Sequence, residues 1–193
     1  MRLLKLGVAF LFVALALALP ARAADPENTM IITTKDGDIT IALRPDLAPK
    51  HVAQIKKLVR AGEYDNVAFH RVINGFMAQT GDVQYGDMQS GFDAGAVGTG
   101  GSKEPDLPAE FTTAEHFVRG TVGMARAQDP NSANSQFFIM FDVAPPLDGQ
   151  YTIVGNVESG MAVVDKIKRG DDASNGSVAD PDRMVKVRIA ADK

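Results

Sequence analysis

Arg71, Met77 and Gln79 are the residues whose types and spacing first suggest chemistry in this 193-residue chain. They lie in the segment Phe69 to Asp82, folded back on itself at Asn74-Gly75, a dipeptide that favours the tight turn between antiparallel strands. Residues two apart on a strand share a face, so across this hairpin Arg71 falls on one face with Met77 and Gln79. A guanidinium fixed among a thioether, an amide and the ring of Phe76 is a polar handle for a ligand in an apolar pocket. On pattern alone, the plainer reading is an exposed arginine paired with a carboxylate.

A second strand, Gln136-Phe137-Phe138-Ile139-Met140-Phe141, has two unlike faces. Phe137, Ile139 and Phe141 are wholly apolar and must be core. Gln136, Phe138 and Met140 form the other face, which spacing alone reads as an amphipathic surface, since a buried amide without a partner is costly. His70 titrates near neutrality, yet no serine or carboxylate stands at a nucleophile elbow or triad motif, and it reads as a hydrogen-bonded structural histidine. Gly98-Thr99-Gly100-Gly101-Ser102 lacks the Gly-Lys-Ser/Thr of a phosphate loop. Asn175-Gly176-Ser177 is a glycosylation sequon only in a host that glycosylates.

Composition narrows the chemistry further. The chain has no cysteine, which excludes disulfides, thiol nucleophiles, iron–sulfur clusters and Cys-ligated zinc. Its three histidines, at 51, 70 and 116, share no short ligand spacing, so neither a metal nor another cofactor is expected. With 20 Lys+Arg against 24 Asp+Glu, the net charge of −4 argues against nucleic acid as a partner.

Arg2 and Lys5 precede an unbroken apolar run from Leu6 to Leu19, and Ala21-Arg22-Ala23 has the A-x-A form at which a signal peptidase cuts. The run is shorter than the ~20 residues of a membrane-spanning helix. Residues 1–23 are therefore expected to be a cleaved secretory signal, and 24–193 a single exported domain, periplasmic if the cell has two membranes. Cleavage removes three cations (Arg2, Lys5, Arg22) and no acid, leaving a net charge of −7 that repels anionic membranes.

The elements that must position these residues follow from local pattern. Strands are expected over 30–34 and 38–43, joined at Lys35-Asp36-Gly37, then over 67–73 and 76–80, and near 120–125, 136–141, 151–157 and 184–190. Val52, Ile55, Leu58 and Val59 recur at helical spacing after Pro49, and Met161, Val163, Val164 and Ile167 place a second helix at about 160–169. Residues 81–101 are glycine-rich and aperiodic, as functional loops are. Many antiparallel strands with two helices suggest a sandwich or a closed barrel. A closed barrel of about eight strands is filled by its own side chains, so a site would lie outside it.

Phe69–Asp82 resembles the signature of the cyclophilins, the cyclosporin-binding class of peptidyl-prolyl cis-trans isomerases. Gly98-Thr99-Gly100-Gly101, the run Gly120 to Ala125, Asn134 to Ile139, Leu147-Asp148-Gly149 and Val154 to Val157 resemble further segments of that family in the same order, across roughly residues 30–190. The resemblance implies a mainly β fold, a closed eight-stranded antiparallel β-barrel capped by two α-helices, with a groove on its outside. It implies a catalytic role for Arg71 and a proline pocket of Phe76, Met77, Phe138 and Leu147. Polar and backbone contacts would come from Gln79, Ala125, Arg126 and Gln136, with Gly98 on the neighbouring loop. Proline-containing polypeptides are the implied partners of a monomer. Three departures stand out: Pro146 replaces a tryptophan common before Leu-Asp-Gly, Tyr151 stands for a histidine and supplies a ring wall, and about ten residues are added between Asp82 and Gly98. They imply weak cyclosporin binding. A non-catalytic proline-peptide binding module or chaperone on the same fold is the alternative, which loss of Arg71 or of the pocket aromatics would have favoured.

Overall fold

β1 (Thr29–Thr34) and β2 (Gly37–Leu43) form where β-formers flank Lys35-Asp36, and Thr34 pairs with Gly37 across that two-residue turn. The computed structural model describes residues 25–192, so the signal expected over 1–23 lies outside the described residues. Six more strands follow: β3 (Arg71–Ile73), β4 (Met77–Thr80), β5 (Thr121–Met124), β6 (Phe137–Met140), β7 (Ile153–Ser159) and β8 (Lys186–Ile189). All eight join one sheet in the order β3-β4-β6-β5-β7-β2-β1-β8, every pairing antiparallel.

Alternation along these strands builds the main core. Met30 and Ile32, Ile39 and Ile41, Phe137 and Ile139, and Val187 and Ile189 are all buried on one face. Each such side chain contributes roughly 1.5–3 kcal/mol relative to exposure. The helix α1 (Pro49–Arg60) lays Val52, Ile55, Leu58 and Val59 onto the same core, as its spacing predicted.

The start of α1 is capped from a distance. Ala48 offers no side-chain acceptor; instead the Glu110 carboxylate accepts from the backbone N–H of Lys50 (3.1 Å) and of His51 (3.1 Å). That placement satisfies orphan helix donors and sets a negative charge at the positive end of the dipole. His51, fully buried, adds an Nδ1 contact of 2.7 Å to the same carboxylate.

Two expectations need correction. The strand ladder does not close: β3 and β8 are the two edges of a curled, open sheet, and no ladder joins them. Isolated bridges fill the gap, Ala68 with Arg183 and Arg71 with Ser177, together with the Asn66 N–H on Met184 O and the Phe69 N–H on Asp182 O. Pro181, which has no N–H to donate, sits where this returning segment runs beside the gap. The second helix is also shorter than its apolar spacing suggested. α2 spans only Met161–Val164 and continues into turns rather than a full helix to 169. Among the described residues no helix is long and apolar enough to cross a membrane.

Candidate active site

The hairpin β3–β4 pairs Arg71 directly with Gln79 and Ile73 with Met77, the common face that the two-residue period required. β6 lies on the other side of β4, with Gln79 opposite Phe138 and Met77 opposite Met140. The outward face of β6 is not surface, contrary to the reading from spacing. Phe138 and Met140 are buried in a second, smaller cluster with Met77, Phe117, Ala144 and Ile153. The cover comes from distant segments: Phe117 stacks on Phe138 at 5.8 Å between centroids, and Tyr151 meets its edge at 5.9 Å. Gly123 makes this possible, because a Cβ there would lie 2.6 Å from both the Phe117 and the Phe138 rings.

Above this cluster is a cavity of about 200 Å³ lined by Arg71, Phe76, Met77, Gln79, Ala125, Arg126, Phe138, Leu147 and Tyr151. A second cavity of about 390 Å³ adjoins it, sharing Gln79, Ala125 and Arg126 and adding Gly98, Gly100, Asn134 and Gln136 among others. Every residue expected to act on a ligand thus lies in one continuous groove on the outside of the sheet. His70 alone does not line it.

A hydrogen-bond chain runs along the floor. Arg71 Nη1 donates to Gln79 Oε1 (3.2 Å), Gln79 Nε2 donates to Gln136 Oε1 (2.9 Å), and Gln136 Nε2 donates to the carbonyls of Gly98 (3.1 Å) and Gly100 (2.8 Å). The Gly98 and Gly100 N–H groups in turn donate to Asp82 Oδ2 at 2.7 and 3.0 Å. The other carboxylate oxygen accepts from Gln84 N (3.1 Å) and Tyr85 N (2.9 Å), so fully buried Asp82 clasps both ends of the glycine-rich loop. Sequence reading missed Asp82 as a loop clasp. Its only signal was an acid just ahead of a glycine-rich stretch.

Among the described residues neither Arg71 nor Arg126 pairs with a carboxylate, which removes the plainer reading of Arg71. Two further donors of Arg71 go to Asn175, and one N–H on each of Nη1 and Nη2 is left over. Nε reaches the backbone carbonyl and Nη2 reaches Oδ1, both at 3.0 Å. Arg126 donates to the carbonyls of Gln150 and Ala127 and lies 4.6 Å over the Tyr151 ring, a cation–π contact that stiffens the groove wall. Burial draws the Arg71 pKa down from its ordinary value, but a guanidinium keeps its proton at any pH a protein meets.

His70 also differs from expectation. It is buried, but neither ring nitrogen finds a hydrogen-bond partner among the described residues. The ring packs against Gly98, where an added Cβ would sit 3.3 Å from it. Burial lowers the pKa of His70, and burial likewise outweighs the Glu110 carboxylate at His51 and lowers that one. Both rings are therefore neutral near pH 7 in the folded state.

This has a measurable consequence. A histidine whose folded pKa is depressed contributes stability above its unfolded pKa, about 6.5, and that stability is lost as pH falls through the folded value. Tm is expected to fall as pH is lowered from 7 to 5, a window above the ordinary carboxylate titrations. His51→Gln should flatten the fall. An unchanged slope in that variant would mean that His51 is not one of the titrating groups.

Comparison with known proteins places this chain in a family. Residues 29–189 match the family model of the cyclophilin type peptidyl-prolyl cis-trans isomerases. A probable peptidyl-prolyl cis-trans isomerase of Brucella suis is 67% identical over 186 residues, covering 96% of this chain and 94% of that protein. A peptidyl-prolyl cis-trans isomerase of Arabidopsis thaliana is 39% identical, over 86% of this chain and 72% of its own length. Among solved structures, a cyclophilin of Hirschia baltica superposes with a TM-score of 0.73 at 29% identity, covering 89% of this chain and 77% of that one. A cyclophilin type isomerase of Cryptosporidium parvum, crystallised in the presence of the dipeptide Ala-Pro, gives 0.71 at 27% identity, over 83% of this chain and 98% of its own. The chain belongs to the cyclophilin-type peptidyl-prolyl cis-trans isomerase family, and its enzyme class is that of the family.

Proposed function

We propose that this isomerase accelerates rotation about X-Pro bonds in exported proteins, with Arg71 as the group that stabilises the twisted bond. Rotation about a peptide bond is opposed by ~18–20 kcal/mol, because the nitrogen lone pair is delocalised into the carbonyl. In the twisted state that resonance is lost and the lone pair returns to nitrogen. A planar amide nitrogen is a poor acceptor and a pyramidal one a good acceptor, so a guanidinium aimed at it favours the transition state over both ground states. Phe76, Met77, Phe138 and Leu147 would grip the pyrrolidine ring and keep water away, while Gln79 and the backbone of the Gly98 loop hold the flanking chain. Raising ~0.01–0.1 per second to ~10–10³ per second takes about four decades, or ~5.5 kcal/mol. A charge-assisted hydrogen bond in a desolvated, preorganised site is of that order.

The observation that carries this reading is the guanidinium of Arg71, free of any carboxylate among the described residues and held by Gln79 in the wall of the cavity that Phe76, Met77, Phe138 and Leu147 also line. A protease-coupled isomerisation assay on residues 24–193 with an X-Pro peptide tests it. Tight peptide binding without rate enhancement would leave a binding module.

Export rests on the sequence of residues 1–23. N-terminal sequencing of material recovered outside the cytoplasm should begin at Ala24, and recovery of the intact chain in the membrane fraction would refute cleavage. Cyclosporin is expected to inhibit weakly. Pro146, exposed beside Leu147, presents neither an indole donor nor a large apolar wall, a loss worth ~1–3 kcal/mol. Pro146→Trp should tighten inhibition about tenfold or more. An unchanged affinity in a titration would put the cause elsewhere.

A further inference from the structure

We propose that Asn175 is a positioning residue for Arg71, fixing the edge of the guanidinium that faces away from the cavity. The inference rests on the reading of Arg71 as the catalytic group. Nε and Nη2 form one edge of the guanidinium fork, and both donate to the same residue, at 3.0 Å to its carbonyl and 3.0 Å to its Oδ1. Gln79 holds Nη1 from the other side. The planar head is thereby gripped at two edges, and its orientation no longer depends on the flexible stem.

Asn175 can do this because its own backbone is pinned to the strand that carries Arg71. The Val72 N–H donates to Gly176 O (2.7 Å), the Gly170 N–H donates to Val72 O (2.9 Å), and the Val178 N–H donates to His70 O (3.1 Å). Arg71 and Ser177 form an isolated bridge. The segment lies so close to β3 that a Cβ on Gly176 would fall 2.4 Å from Ile73 Cγ1. Asn175 itself adopts a left-handed backbone, φ 54°, at the end of the 3-10 turn Asp172–Ser174, a conformation asparagine accepts more readily than other side-chain-bearing residues. That backbone turns its carbonyl and its amide oxygen toward the same guanidinium edge. The Asn-Gly-Ser run that reads in sequence as a sequon is, in the fold, the seat of the arginine.

The test is a mutant cycle with separate kcat and KM. Asn175→Gly keeps the left-handed backbone and the carbonyl acceptor but removes Oδ1. It should lower kcat about tenfold with KM unchanged, the scale of a misaligned catalytic group. In an Arg71→Ala background the same change should cost nothing further, and Asn175→Asp, which restores an acceptor at that point, should recover the larger part of kcat. If Asn175→Gly keeps wild-type kcat while Arg71→Ala collapses, the positioning role is wrong and the catalytic reading stands. An equal loss in both backgrounds would also overturn it, because the effect would not pass through the guanidinium. Should Arg71→Ala itself remain active, the failure lies in the reading of Arg71.

Discussion

Arg71→Ala is expected to lower kcat/KM on an X-Pro peptide at least ~100-fold, or ~2.7 kcal/mol, the lower range for losing a preorganised donor. The protein should stay folded. Arg71 is half-buried at the wall of the groove, its partners are the groove glutamine and exposed Asn175, and no core contact depends on it. Its removal should change stability by about 0.5 kcal/mol, a shift in Tm of only a degree or two. Arg71→Lys should rescue in part, since an ammonium keeps the charge but cannot span Gln79 and Asn175 with a planar fork. His70→Gln should retain appreciable activity, because the ring lies outside the groove and no proton transfer is needed. A kcat/KM profile that is flat from pH 6.5 to 9 agrees with a guanidinium as the acting group, whereas a step near neutrality would implicate a histidine. A folded Arg71→Ala protein with near wild-type activity would refute the mechanism.

Asp82→Ala should do what Arg71→Ala does not, and lose stability and activity together. The carboxylate is fully buried and accepts four backbone N–H groups, two on each side of the loop from 84 to 98. Leaving even two of those donors without a partner costs ~1–3 kcal/mol each, so a loss of about 3 kcal/mol is expected. In a chain of this length that lowers Tm by roughly 6–12 °C. With the clasp gone, the Gly98 and Gly100 carbonyls no longer present a fixed seat for Gln136, and the support of Gln79 and Arg71 loosens with it. Activity at a temperature where the variant is fully folded should fall about tenfold. Differential scanning calorimetry and the isomerisation assay on one preparation decide it. A variant melting within a degree of wild type would show that the loop is held by something other than Asp82.

What could be read in the sequence is what neighbouring residues determine among themselves. The hairpin at Lys35-Asp36, the α1 face of Val52, Ile55, Leu58 and Val59, and the meeting of Arg71 with Gln79 all follow from turn chemistry and a period of 2 or 3.6 acting over a few residues. Beyond the hairpin of Arg71, Phe76, Met77 and Gln79, the groove residues from Gly98 to Tyr151 were legible through family resemblance rather than through pattern, since Phe138 alone among them lies within a strand. Alternation showed that β6 has two faces, but it could not tell which would be covered. Phe138 is buried because Phe117 and Tyr151 arrive from other parts of the chain, and covering a face depends on packing that no local period encodes.

Tertiary structure alone decided the rest. The strand ladder stops short of closing because the segments on either side of the gap meet in single bridges, a matter of register between residues more than a hundred positions apart. Asp82 meets Gly98 and Gly100 across a loop with no periodic signal, and His70 is buried against that loop without a partner. Arg71 is gripped by Asn175 from 104 residues away. The hydrogen bonds that orient a catalytic group are formed wherever the folded backbone brings an acceptor within about 3 Å. Sequence determines which groups can donate and accept, and only the packed chain determines which of them meet.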